Sequence, residues 1–191
     1  LERFVQRFPE ILLEGCSGGG GRFDAGMLYY SPQIWCSDNT DAMNRLDIQY
    51  GTSFFYPISS VGAHVSACPN HQTGRSVPLS TRADVALAGS FGYELDLLSD
   101  EEKAQVKEQI KEFHDYYDLT HEGDYYRLTE RDNTSFTAWE FVAKNKERAL
   151  VEVVKKDAWG NPLPVHVTIK GLEDNSMYVC SLNGIKRSGK T

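Results

Sequence analysis

No stretch of this 191-residue sequence approaches the roughly 18–20 consecutive apolar residues that span a bilayer. Cysteine is scarce: Cys16, Cys36, Cys68 and Cys180 lie far apart, with no C-x-x-C pair and no dense framework. They are expected as free thiols in a reducing compartment. Positive charge is in deficit, with 20 Lys and Arg against 27 Asp and Glu and a net charge of −7. Counterion release needs a basic face, so this balance argues against a nucleic-acid or anionic-membrane partner. The opening LERFVQRFPEILLEG has no basic head, apolar stretch and small-residue cleavage site, so no signal peptide is expected. The widely spaced cysteines make the cytoplasm the expected compartment.

What is present fills a core. Forty per cent of the residues are hydrophobic and 12% aromatic, enough for one large or two small globular domains. The texture divides near residue 120. Before it, the apolar runs 8–14 (FPEILLE), 33–37 (QIWCS) and 61–67 (VGAHVSA) read as buried strands that end in polar loops. Helical stretches follow the second and third, which predicts a parallel sheet with crossovers. The clearest helix is predicted over 100–117. Ser99 and Glu102 form a capping-box pattern, and Val106, Ile110, Phe113 and Tyr117 give one apolar stripe. After 120, the runs 135–142, 148–155, 165–170 and 177–181 favour β-branched and aromatic residues. Turn signals such as WGNPLP (159–164) and EDNS separate them, and the pattern reads as the start of an antiparallel β-sandwich.

Chemistry is expected in the loops. The four glycines at 18–21 directly follow a strand-like run, and glycine lets a backbone approach a ligand closely. No Lys-Ser/Thr follows them, and no G-x-G-x-x-G opens a clear helix, so a sugar or other neutral polar ligand fits better than phosphate. In Trp35-Cys36-Ser37-Asp38-Asn39-Thr40-Asp41, two carboxylates stand three residues apart after a strand, where catalytic groups of parallel barrels gather. Asp41 lies where an N-cap is expected, while Asp38 is open to a cap or a catalytic role. His64, Cys68 and His71 match no common zinc spacing and read as polar groups of a barrel-end loop, so no metal is expected. A G-x-S-x-G nucleophile elbow is absent.

These residues together resemble a known family. The stretch CSGGGGRFD from Cys16 to Asp24, with Gly26-Met27-Leu28 and Ser31-Pro32-Gln33, is similar to the α-galactosidases (melibiases) of glycoside hydrolase family 36. So is WCSDNTDA from Trp35 to Ala42, continuing through Arg45-Leu46 to Gln49-Tyr50-Gly51. The loop Gly62-Ala63-His64-Val65-Ser66 with Pro69-Asn70-His71-Gln72-Thr73-Gly74-Arg75 resembles the same family, and the likeness runs from about 10 to about 180.

The resemblance implies the C-terminal portion of a (β/α)8 (TIM) barrel over 1–120, its last three strands, followed by part of an antiparallel β-sandwich over 121–191. It implies retaining hydrolysis of terminal, non-reducing α-galactosides such as melibiose and raffinose, with no cofactor and a homo-oligomeric parent enzyme. Asp38 would be the general acid/base, and Cys16, Gly18, Gly19, Trp35 and Asp41 would meet the substrate. The family's nucleophile lies in a Lys-Trp-Asp motif, which does not occur in this chain. With Leu rather than Met at position 1, this reads as a fragment. Two other readings follow the same motifs: a non-catalytic galactose-binding module, and an α-N-acetylgalactosaminidase specificity.

Overall fold

The computed structural model describes residues 1–94, 98–157 and 160–190. It divides into two compact units, Leu1–His114 and Asp115–Thr191.

The first unit is built on four parallel strands in the order β1-β2-β3-β4: Glu14–Gly15, Gln33–Trp35, Val61–Ser66 and Ser90–Glu94. This is part of a (β/α)8 barrel. β3 is buried at five of its six positions, as expected of a strand covered on both faces. The helix Ala42–Thr52 links β2 to β3 and buries Ala42, Arg45, Leu46, Gln49 and Tyr50, an i, i+3, i+4, i+7, i+8 face. The helix Leu79–Leu87 links β3 to β4, and its Leu79, Ala83 and Ala86 close on Ala63 and Val65 of β3.

Several expectations change. Run 8–14 is not a strand. A short helix, Glu2–Arg7, precedes it, residues 8–12 are exposed, and only Glu14–Gly15 pairs with a neighbour. Apolar composition alone supplies no ladder, and among the described residues the ladder reaches this run only at Glu14, opposite Gln33. The barrel portion holds a fourth strand, Ser90–Glu94, beyond the three expected. The helix over 100–117 extends to Glu122. Its capping box is formed: Ser99 N donates to Glu102 Oε2 at 3.0 Å, and Glu102 N donates to Ser99 Oγ at 3.2 Å. Its inward face is Val106, Gln109 and Phe113, with Gln109 accepting from Tyr93 Oη at 2.7 Å and Phe113 stacked on Phe91. Ile110 and Tyr117, expected in that stripe, are 40% and 49% exposed.

In the second unit, β5 (Asp124–Arg127), β6 (Phe136–Val142) and β7 (Ala149–Lys155) form an antiparallel sheet with β6 in the middle. A second pair, β8 (Met177–Val179) and β9 (Lys186–Ser188), is also antiparallel. Both belong to the sandwich. The run 165–170 forms no ladder among the described residues, although its composition suits a strand. It has no regular secondary structure, and its Lys170 N–H is taken by a side chain, Glu140 Oε2, at 2.9 Å. The expected turn at 159–164 begins at a residue outside those described.

Glu140 on β6 is fully buried, and among the described residues its Oε1 has no hydrogen-bond partner. Burial pushes its pKa up to about 7, against the opposing pull of the Lys170 N–H and charge. The folded chain therefore holds this proton more tightly than the unfolded chain, whose Glu titrates near ~4.3. The stabilisation is present below that value and is lost as pH rises through about 7. Glu140→Gln is expected to raise the thermal midpoint more at pH 8 than at pH 5. Equal shifts at the two pH values would contradict this origin.

Candidate functional site

β1, β2, β3 and β4 all end on the same side of the parallel sheet, as parallel pairing requires. There lies an open depression of about 340 Å³, lined by Cys16, Trp35, Asp38, Thr40, His64 and His71, with Glu14, the first residue of β1, and Glu94, the last of β4. The C-terminal strand ends of such barrels carry the active sites of characterised enzymes.

Asp38 is exposed in the loop that leaves β2. Turn chemistry shapes that loop: Ser37 Oγ accepts from Asn39 N at 3.1 Å, and Asn39 Oδ1 accepts from Asp41 N at 3.0 Å. The next loop along, after β3, grips it. The Gln72 carboxamide donates to the Asp38 carbonyl at 2.8 Å and accepts from Thr40 N at 3.1 Å.

The glycine-rich loop closes on Asp38 from the other side. Residues 17–20 all have positive φ, from 52° at Ser17 to 92° at Gly20. A Cβ on Gly19 would lie 2.8 Å from Asp38 N and 3.0 Å from its Cγ, and one on Gly20 would lie 2.6 Å from the Cys36 carbonyl. Gly18 faces open space, so its glycine requirement is conformational only. Gly19→Ala is thus expected to displace the Asp38 loop, which a crystal structure of the variant would show. Gly51→Ala, at the penultimate position of the helix Ala42–Thr52 and facing open space, is the control and is expected to leave that loop in place.

Trp35 is half-buried at the depression's floor. Its ring meets His64 with centroids 4.7 Å apart, and the Arg45 guanidinium lies over it at 4.7 Å. A Cβ on Gly62 would stand 2.8 Å from the Trp35 ring, so the small residue on β3 makes room for it. Arg45 is buried and donates to Cys36 Sγ and the Ser37 carbonyl, both at 3.2 Å, and to the Gly62 carbonyl. Burial lowers its pKa, offset by Cys36. The Cys36 thiol is pushed up by burial, against the pull of Arg45.

Asp41, expected both as a cap and as a substrate contact, is a cap whose side chain is entirely buried. It accepts from Met43 N at 2.9 Å and Asn44 N at 3.0 Å. Thr73 Oγ1 and Arg75 Nη1 both reach it at 2.5 Å. Burial alone would raise its pKa, but these donors and the Arg75 charge together hold it below the usual carboxylate value. Its oxygens are committed to donors within the chain.

Of the expected residues, Cys16, Trp35 and Asp38 therefore meet at one depression, with Gly19 packed behind Asp38. His64 and His71 also line it while Cys68 is exposed elsewhere, and among the described residues no His, Cys, Asp and Glu group has the arrangement to hold a metal. The four cysteines are unpaired. Among the described residues, no helix is long and apolar enough to cross a membrane.

The family model described as Melibiase matches residues 1–123. The chain belongs to the Melibiase family. The model for the glycosyl hydrolase family 36 C-terminal domain matches residues 136–191. The bifunctional alpha-galactosidase/sucrose kinase AgaSK of Mediterraneibacter gnavus is 56% identical over 191 residues, covering 99% of this chain and 20% of the relative. Alpha-galactosidase AgaA of Geobacillus stearothermophilus is 50% identical over 180 residues, covering 93% of this chain and 25% of the relative. The galactosidase domain of AgaSK superposes with a TM-score of 0.96 at 56% identity, over 99% of this chain and 27% of that one. A crystal structure of Geobacillus stearothermophilus AgaA in complex with raffinose gives 0.95 at 48% identity, over 99% and 26%. This melibiase-family chain thus spans about a fifth to a quarter of the length of these curated relatives.

Glu14 and Glu94 line the depression without any sequence signal that singles them out. Glu94 ends a five-residue strand, SFGYE, whose glycine and serine disguise it as loop. Gln72 and Arg45 stand inside the family-like motifs, where only the order of residue types marks them: Gln72 lies in a loop, and Arg45 brings a charge to the buried face of its helix.

Proposed function

We propose that this chain is part of a retaining α-galactosidase acting on terminal, non-reducing α-galactosides of the melibiose and raffinose type, with Asp38 as its general acid/base. The observation that carries the reading is the meeting of Asp38, Cys16 and Trp35 at the C-terminal strand ends of a Melibiase-family barrel portion. Asp38 would protonate the leaving oxygen as the glycosidic bond breaks. It would then take a proton from the water that hydrolyses the glycosyl-enzyme. The nucleophile would come from a Lys-Trp-Asp strand of a longer polypeptide, its carboxylate about 5–5.5 Å from Asp38 as retention requires. Cys16 and the backbone at Gly18 and Gly19 would meet the galactose ring, with Trp35 beneath it.

The barrel portion is assigned to 1–120 and the sandwich portion to 121–191, in keeping with family matches over 1–123 and 136–191. A cytoplasmic homo-oligomer is the assembly proposed, supported by the four unpaired cysteines and the family resemblance. Proton NMR of raffinose cleavage by the whole enzyme tests the reading: α-galactose appears first, and a first-formed β-anomer would overturn it. A second reading has one observation in its favour, the absence of Lys-Trp-Asp from this chain. It is a module that binds galactose without cleaving it, and calorimetry with galactose tests it.

A further inference from the structure

We infer that Gln72 is a positioning residue for Asp38, holding the acid/base loop at the mouth of the depression; the inference rests on the acid/base reading above. Asp38 belongs to no helix or strand, so other loops must hold its backbone. Besides Gln72, the loop after β3 reaches across to the loop after β2 at three points. Thr73 and Arg75 bind the buried cap Asp41, and Asn70 Nδ2 donates to Thr40 Oγ1 at 3.0 Å. Of this loop's side chains, the hydrogen-bonding one that reaches Asp38 itself is Gln72.

The match is chemical as well as geometric. One planar carboxamide offers a donor to the Asp38 carbonyl at 2.8 Å and an acceptor to the Thr40 N–H at 3.1 Å. Those two peptide groups flank Asn39, so the pair of bonds fixes both ends of the turn that bears Asp38. Gln72 is anchored in turn, since the buried Asn70 accepts Gln72 N at 3.0 Å and Thr73 N at 3.1 Å. The Gly19 backbone also approaches Asp38 so closely that a Cβ there would clash with it. Glutamate in place of Gln72 would keep the acceptor for Thr40 but lose the donor to Asp38, and its charge would face a carbonyl oxygen. Alanine would lose both bonds.

The test compares Gln72→Ala, Gln72→Glu and Asp38→Ala in the whole enzyme on melibiose and on a nitrophenyl α-galactoside, with thermal midpoints alongside. A nitrophenolate leaves without a proton, so a misplaced acid harms melibiose cleavage selectively. Both Gln72 variants are expected to lose about 10–100-fold in kcat on melibiose, with KM within about twofold. On the nitrophenyl substrate, kcat/KM is expected to stay within about threefold. Equal losses on the two substrates, following a lowered thermal midpoint, would show a merely structural role and overturn the inference. Parental kcat on melibiose would overturn it too. If Asp38→Ala itself loses equally on both substrates, the acid/base reading is what fails, and the inference falls with its premise.

Discussion

Asp38→Ala in the whole enzyme is expected to lower kcat/KM on melibiose by about 10²–10⁴-fold, the range a positioned general acid contributes. On a nitrophenyl α-galactoside, kcat/KM is expected to fall far less, because that ratio reports formation of the glycosyl-enzyme and the leaving group needs no proton. Its kcat should still drop, since on the proposed reading the same residue would activate the water of the second step. The variant should fold normally. Asp38 is exposed, and the contacts that hold its loop run through its backbone, at the carbonyl taken by Gln72 and the amide that faces Gly19. This combination of a folded protein, a large loss on a poor leaving group and a small one on a good leaving group distinguishes an acid from a substrate clamp.

The second large effect concerns the 191-residue chain by itself. Purified alone, it is expected to release no galactose from melibiose and no nitrophenolate from the activated substrate. Double displacement needs two carboxylates on opposite sides of the anomeric carbon. Asp38 is one candidate, while Glu14 and Glu94 line the same depression without the Lys-Trp-Asp context. An assay of the isolated chain on nitrophenyl α-galactoside checks this, and sustained turnover would mean that a carboxylate within these residues serves as nucleophile.

The parts of the site written in local residue order are legible in the sequence itself. Ser37, Asn39 and Asp41 are turn and cap residues by type, and they build the turn and the cap that place Asp38. The glycine cluster is legible as a close approach, though what it approaches, Asp38 and the Cys36 carbonyl, is a tertiary fact. Longer-range partners are not legible. Arg45 sits in a helix where a charged residue ordinarily faces water, yet it is buried because three groups from neighbouring segments, at Cys36, Ser37 and Gly62, accept its protons. Gln72 acts through two backbone groups more than thirty positions away, and no periodicity encodes such a bond.

The departures of the fold from its expected pattern have the same root. Runs 8–14 and 165–170 have strand composition, but a strand exists only where a neighbour offers a ladder. At Lys170 a buried carboxylate takes the N–H instead. Ser90–Glu94 shows the converse: a run with serine and glycine becomes a strand because β3 offers five consecutive partners.

The most direct measurement is the dependence of log kcat/KM on leaving-group acidity, across a series of aryl and sugar α-galactosides, for the parent enzyme and Asp38→Ala. If Asp38 delivers the proton to the leaving oxygen, the parent line is shallow and the variant line steep, and the two converge at the most acidic leaving groups. Parallel lines, with the same loss at every leaving group, would contradict that role.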